Sequence, residues 1–443
     1  MLVNQPPIEF TPSCKGITTV PATVFIGFEK LGATTESISE PIHNRVKTNI
    51  KILGFDIIVL ARAINCFCPT DRPPPLSLNN VLYPFFNFII KDTMTEYNTE
   101  WENNSSFHEL LNTCSPSCRE YESATIFKTW LSTAHCQTST DILGNVTGCI
   151  NPQSEYKILL TAHMDEVGLQ ITHINSNGLI FFRRVGGIEP MSLCGHEVTI
   201  LNKRGPVNGI IGRNAQNYNF TEQGLSFKMS DLWIDIGADT KEEATEKVWI
   251  GDFVSFKPNS QKIGKSRICA KGLDNKTGLF IVAQTIKKLS KEQLSIGIYV
   301  AATVQEEIRL RGIAPCVYNI KPTIGFVVDV GFATDVPGSS QYDEPTFCLG
   351  KGVGLIHNAD NNPILVDCLK QVAESKKIPI QETVGHTLSG GTDAMILQLT
   401  ADGVATANIS IPCRYMHSHT EMCDWEDIEY AIELLTQTIL KID

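Results

Sequence analysis

No hydrophobic run in this 443-residue chain reaches the roughly 18 to 20 residues that a membrane-crossing helix needs, because Asp56 and Arg62 interrupt the best candidate, Ile50 to Cys68. The opening MLVNQPPIEF has no basic stretch ahead of an apolar core, so no secretory signal is visible. Paired C-x-x-C clusters are also missing. The fourteen cysteines are scattered, with Cys66/Cys68 and Cys114/Cys118 the nearest approaches, which excludes the usual structural zinc site. Read as reduced thiols, they point to a cytoplasmic protein. Positive charge is scarce: 37 Lys and Arg against 48 Asp and Glu give a net charge of −11, with no general attraction to phosphate backbones or anionic lipid. Neither nucleic acid nor membrane is expected as a partner. Apolar material is plentiful, since 42% hydrophobic residues suffice for a sizeable core and exclude global disorder.

Composition shifts near residue 93. The first 93 residues hold 10 of the 22 prolines, including Pro73-Pro74-Pro75, and are almost neutral, so the acidic excess belongs to the remainder. Within them the apolar patches 52–61 and 81–90 carry no catalytic constellation. Residues 1–93 therefore read as an N-terminal extension of unknown function, with a stretch upstream of the native start favoured over an extra module. From Met94 onward, Lys157–Ala162, Ile298–Val304 and Thr323–Val328 are short apolar runs suited to strands buried on both faces. Helical patterns cover Lys276–Leu289, Pro363–Ser375 and Trp425–Leu440, the last after Asp424 as a plausible N-cap. These features predict an α/β catalytic domain, a mixed sheet flanked by helices, in two parts, 94–167 and 263–443. Between them, 168–262 breaks into short β-type segments (Leu169–His173, Leu179–Arg183, Glu197–Leu201, Gly209–Ile211, Phe253–Phe256), as expected of a small inserted β-rich domain.

Chemistry-bearing residues cluster at the predicted strand ends. His163 and Asp165 follow the first strand, Glu306 and Glu307 the second, and Asp329 closes the third. In open α/β sheets ligands gather outside the carboxyl ends of strands, so separate segments deliver these groups to one place. Asp274, at a helix entry, and His417, after the apolar run Thr406–Ile411, complete two imidazoles and several carboxylates, a ligand set suited to zinc, cobalt or manganese. With Asp274 bridging two divalent ions, and Glu307 and Asp329 binding one each, a residual positive charge remains. It can bring a metal-bridging water to hydroxide near neutral pH and polarise a carbonyl. Adjacent side chains diverge, so Glu306 is assigned as general base and Glu307 as ligand, while Asp165 is placed to fix the His163 tautomer.

The motifs Ala162-His-Met-Asp-Glu-Val-Gly168, Gly272-Leu-Asp-Asn-Lys276, Val304-Gln-Glu-Glu307 with Leu310-Arg-Gly312, Val328-Asp329, Ser389-Gly-Gly-Thr-Asp-Ala394 and Arg414-Tyr-Met-His-Ser418 run in order. Over about residues 105–443 the chain resembles the glutamyl and tetrahedral aminopeptidases, a group of cocatalytic dinuclear metallopeptidases. Gly144-Asn145 and His108-Glu-Leu-Leu111 resemble that family's opening. The resemblance implies release of single residues from the free N-termini of short peptides. It also implies two metal ions per subunit, commonly zinc or cobalt, and an inserted β domain used for homo-oligomerisation into a tetrahedral particle. By position it assigns His163, Asp274, Glu307, Asp329 and His417 as ligands and Glu306 as base. Two departures stand out: Ile308-Arg309 where the family usually has glycine before Leu-Arg-Gly, and Arg213-Asn-Ala-Gln-Asn217 where proline and histidine are more usual.

Blander readings apply elsewhere. His196, His357 and His386 read as structural and His419 as solvent-facing. Ser389–Ala394 reads as a tight turn into a helix, with Thr392 and Asp393 either contacting substrate or capping. A metal-independent glycoside hydrolase of the endoglucanase kind is the enzymatic alternative, since paired carboxylates also serve sugars. A non-catalytic peptide-binding scaffold is the other.

Overall fold

The computed structural model describes residues 104–214, 220–221, 224–225, 228–339, 346–385 and 388–443, together with the backbone of three earlier strands. The chain divides into two compact units, Met1–Thr93 and Met94–Asp443. In the first, Phe25–Phe28, Phe55–Arg62 and Arg45–Ile52 form an antiparallel sheet in that spatial order. Of the apolar patch 52–61, Ile52 and residues 55–61 fall on these strands; the patch 81–90 lies outside the described residues.

The second unit is built on an eight-stranded mixed sheet. Its order is Ile380–Thr383, Val353–Ile356, Ala405–Cys413, Ile324–Phe332, Lys157–His163, Gly297–Thr303, Val146–Ile150, Gln137–Thr140. The four central strands, from Ala405–Cys413 to Gly297–Thr303, run parallel. Alternation along them explains the layers. Ile158, Leu160, Ala162, Val300, Ala302, Phe326 and Val328 face one core, with helices Leu273–Leu289, Pro363–Lys376 and Trp425–Ile442. The intervening Leu159, Ala301 and Val327 face the other, under helices Ile313–Ile320 and Ala394–Leu397. Strands covered on both faces read as near-continuous apolar runs, which is why these three were visible in the sequence.

Local chemistry sets the helix ends. Asp424 accepts a hydrogen bond from the Glu426 amide at 3.1 Å, and Asn362 caps Ile364 at 3.0 Å ahead of Pro363. Two boundaries differ from expectation. Ile324–Phe332 pairs with all nine residues of Ala405–Cys413, so Asp329 lies inside the strand rather than closing it. The segment Gly209–Ile211 is part of a longer strand, Gly205–Arg213, because it pairs with two neighbours at once.

A closed six-stranded barrel leaves the sheet just after His163. Its order is Gly205–Arg213, Leu232–Asp235, Ile180–Val185, Gly168–Ile174, Phe253–Phe256, Glu197–Asn202. Inward-facing Leu169, Ile171, Phe182, Ile200, Ile211, Ile234 and Val254 fill it as a separate core. Among the described residues no helix is long and apolar enough to cross a membrane.

Candidate active site

The parallel register brings Thr303 beside His163, and the strand carrying Asp329 lies on the other side of His163. Asp274 sits where the backbone has not yet become helical (φ −80, ψ 101), so the regular helix starts after it and its carboxylate lies beside His163 at the end of a central strand. Around it the distances are short. One Asp274 oxygen is 3.1 Å from His163 Nε2, and the other is 3.2 Å from His417 Nε2. Asp329 lies 3.6 Å from His163 Nε2, and Glu307 3.4 Å from His417 Nε2. All five predicted ligands thus meet, in two halves that share Asp274. Glu306 is also present, with its Oε2 3.8 Å from His163 Nε2, on the Asp329 half.

Other side chains fix these groups. His163 Nδ1 lies 3.0 Å from the Asp165 backbone carbonyl and 3.4 Å from the Asp165 carboxylate, so the main chain makes the closer contact. The carboxylate instead accepts from the Glu306 amide (3.0 Å), the Glu307 amide (3.2 Å) and the Ser117 hydroxyl (2.7 Å). Glu421, which sequence reasoning missed, accepts from the Asp274 amide at 3.0 Å and the His417 amide at 2.9 Å, holding both ligand backbones. Its only signal was position, four residues after His417 on a fully buried strand. From the barrel, Gly187 packs so closely that a Cβ there would lie 3.0 Å from His417 Nδ1, and one on Gly186 would lie 3.3 Å from Glu307 Oε2.

Beside the site lies a buried ionic cluster, also unforeseen. Glu166 accepts from Lys271 Nζ (2.6 and 2.8 Å), Lys276 Nζ (2.8 Å), the Ser115 amide (3.0 Å) and the Ser255 hydroxyl (2.9 Å). Both lysines also donate to the Thr113 carbonyl, at 2.7 and 2.9 Å. Burial alone would raise the Glu166 carboxyl, but the two ammonium groups hold it down at about 2. The cluster ties the Gly272–Lys276 motif to the segment before the sheet and to the barrel strand bearing Ser255.

Packing so many acids together perturbs their protonation. Burial and mutual repulsion push Glu306 and Glu307 well above the usual carboxylate range, and Glu421 to about 8. Burial opposes charging the imidazoles, yet neighbouring carboxylates prevail: His163 rises well above its ordinary value and His417 to about 8. Protons on these groups offset part of the negative charge that cations could balance.

The remaining expectations divide. Thr392 is half-buried, its hydroxyl accepting from the Ala394 amide at 3.3 Å, a capping-type bond, and from Asn408 Nδ2 at 3.2 Å. Asp393 is buried beneath the strand ends, bonded to the Thr303 hydroxyl at 2.6 Å, and burial pushes it up to about 7. His419 corrects its expectation: it is half-buried, stacked on His196 with ring centroids 3.5 Å apart, because the barrel covers that segment. Burial, with His196 alongside, lowers it to about 4. His357 is paired with Glu382 at 2.8 Å, and His386 lies outside the described residues.

Two groups of donor atoms come within 4.8 Å of one another, His163/Asp274/Glu307 and His163/Glu306/Asp329. Oε1 of Glu307 is buried with no hydrogen-bond partner among the described residues. A buried carboxylate oxygen without a hydrogen-bond partner is costly unless a cation is bound there, so the residues fit a metal centre. Parallel strand ends bearing a His and carboxylate cluster suit a metal-dependent hydrolase. The M42 glutamyl aminopeptidase family matches residues 144–434, and the chain belongs to that family of peptide hydrolases.

The lysyl aminopeptidase of Pyrococcus furiosus is 32% identical over 306 residues, covering 67% of this chain and 85% of that protein. The solved TET aminopeptidase of a marine sediment archaeon, Thaumarchaeota archaeon SCGC AB-539-E09, is 30% identical, with a TM-score of 0.72 over 76% of this chain and 96% of that one. The Pyrococcus horikoshii TET1 peptidase, which can assemble into a tetrahedron or a large octahedral shell, is 29% identical. Its TM-score is 0.66 over 75% of this chain and 98% of that one. Membership of a peptide-hydrolase family favours the peptidase reading over the scaffold and glycoside-hydrolase alternatives, while a solved Thermotoga maritima structure described as an endoglucanase is also similar, at 26% identity and a TM-score of 0.61 over 76% of this chain and 98% of that one.

Proposed function

We propose that this chain is a dinuclear metalloaminopeptidase that removes single N-terminal residues from short peptides. The observation carrying the two-metal reading is Asp274, whose two oxygens face two different imidazoles at 3.1 and 3.2 Å. In this reading His163 and Asp329 hold one divalent ion, His417 and Glu307 the other, and Asp274 is shared. Bound there, two zinc or cobalt ions would polarise a carbonyl and acidify water.

The protein's own contribution is proton handling and orientation. Glu306, beside the Asp329 half and nearly buried, takes the proton of the attacking water and returns it to the leaving amine. Asp165 keeps Glu306 and Glu307 diverging by binding their amides. Glu421 holds Asp274 and His417 in register.

We further infer a cytoplasmic homo-oligomer, since relatives of this fold assemble into closed particles. Residues 168–262, which contain the barrel, would supply subunit contacts. Residues 94–167 and 263–443 would form the catalytic domain, with 1–93 an extension. The test is hydrolysis of aminoacyl-nitroanilides that disappears with chelator and returns with cobalt or zinc. The Glu306→Gln variant is expected to keep about two metals per chain while losing turnover. Loss of metal in that variant would reverse the roles of the two glutamates.

A further inference from the structure

We propose that Glu120 is a positioning residue for the hydrolysis, holding the turn that carries the general base; this rests on the assignment of Glu306 above. Between Thr303 and Ile313 the chain has no regular structure, and three of its non-glycine residues, Gln305, Arg309 and Leu310, take positive φ of 58°, 86° and 55°. Left-handed backbone is costly for residues that carry a Cβ, so the turn needs support from outside.

Four consecutive amides receive that support from three distant side chains. Asn145 Oδ1 accepts from the Val304 amide at 2.9 Å, Glu120 Oε1 from the Gln305 amide at 3.2 Å, and Asp165 from the Glu306 and Glu307 amides at 3.0 and 3.2 Å. Asn145 and Asp165 flank strands of the sheet. Glu120 lies three residues after Ser117, whose hydroxyl donates to Asp165. It occupies the N-cap position of helix Tyr121–Thr133, where a side chain ordinarily binds the helix's own first amides, yet it makes no such bond. It is buried, and the same Oε1 accepts from the Cys118 amide at 2.8 Å. The carboxylate is thus withheld from its own helix and shared between the Cys118 amide and the residue preceding Glu306.

Gln305 has left-handed φ, so a small rotation there swings Glu306 relative to His163. Glu120 acts through that backbone and touches neither substrate nor metal. What matters is an acceptor oxygen at the right reach, which separates a positioning role from an effect of negative charge. Glu120→Gln keeps the reach and the oxygen but removes the charge. Glu120→Asp keeps the charge and falls one methylene short.

The test compares both variants with the wild-type protein in cobalt or zinc, measuring kcat and KM on aminoacyl-nitroanilides, metal content, and hydrogen exchange at the Gln305 amide. Glu120→Asp is expected to lower kcat about 10- to 100-fold with KM within about twofold, whereas Glu120→Gln stays within about threefold of wild type. Metal content should be unchanged in both, and Gln305 exchange should accelerate in the Asp variant. Equal activity of all three proteins overturns the role of Glu120 alone. Impairment of the Gln variant with the Asp variant spared shows a charge effect and overturns it as well, as does a fall in kcat that tracks lost metal. A wild-type protein without aminopeptidase turnover overturns the reading of the site, and this inference with it.

Discussion

Replacing Glu166 by Gln isolates the electrostatic part of the cluster beside the site, because the side chain keeps its size and an acceptor oxygen while two buried ammonium groups lose their counter-charge. The fall of the Glu166 carboxyl from 4.5 to about 2 corresponds, at about 1.4 kcal/mol per factor of ten, to about 3 kcal/mol favouring the ionised form. Breaking a buried ion pair by removing one partner typically costs about 3–5 kcal/mol. The expected loss is therefore about 3–5 kcal/mol, a large share of the roughly 5–15 kcal/mol that stabilises a domain. Urea unfolding of the metal-free proteins at pH 7 and matched concentration measures it. Trp425, packed against Phe107 and Phe280, is a fluorescence reporter in the core. The midpoint should fall with the slope unchanged. A lowered folded-state carboxyl contributes stability above its unfolded value and loses it as pH falls through the folded one, so the gap between the two proteins should close from about pH 4.5 to about pH 2. A loss below about 1 kcal/mol at pH 7, or a gap indifferent to acid, would refute the claim that the two lysines depend on Glu166.

Other expected outcomes follow from single features. Arg309 carries φ +86°, so Arg309→Gly should raise stability by about 1 kcal/mol, read as a higher denaturation midpoint; no gain would mean the turn is not strained there. Gly187→Val places side-chain atoms against His417, and metal titration followed by calorimetry should show one of two sites weakened and the other intact. Equal weakening of both sites would contradict the division into halves. Because His163 and His417 hold protons above their ordinary range and Glu306, Glu307 and Glu421 do likewise, adding zinc to metal-free protein near pH 7 should release protons, detectable as buffer-dependent binding heat. Binding heat independent of the buffer would contradict that protonation.

The central strands and the groups at their ends were legible because burial on both faces leaves unbroken apolar runs, after which His163 or the Glu306-Glu307 pair stands out. Short polar edges were not: Gln137–Thr140 is exposed along its length and carries no apolar signal. Asp329 was found although the strand end was misplaced, since strand length is set by pairing with Ala405–Cys413, which no local pattern records. The supporting acids Glu120, Glu166 and Glu421 escaped notice for a different reason. Each acts through amides or lysines distant in the chain, and a lone glutamate in sequence is indistinguishable from one on a solvated surface. Stacking of His419 on His196 likewise depends on the barrel folding back against the catalytic sheet's loops.

Anomalous diffraction from crystals grown with cobalt or zinc tests the two-metal assignment most directly. Two peaks are predicted, with one Asp274 oxygen toward each, His163 and Asp329 at the first, His417 and Glu307 at the second, and Glu306 bound to neither. A single peak, or Glu306 coordinated in place of Glu307 or Asp329, would contradict it.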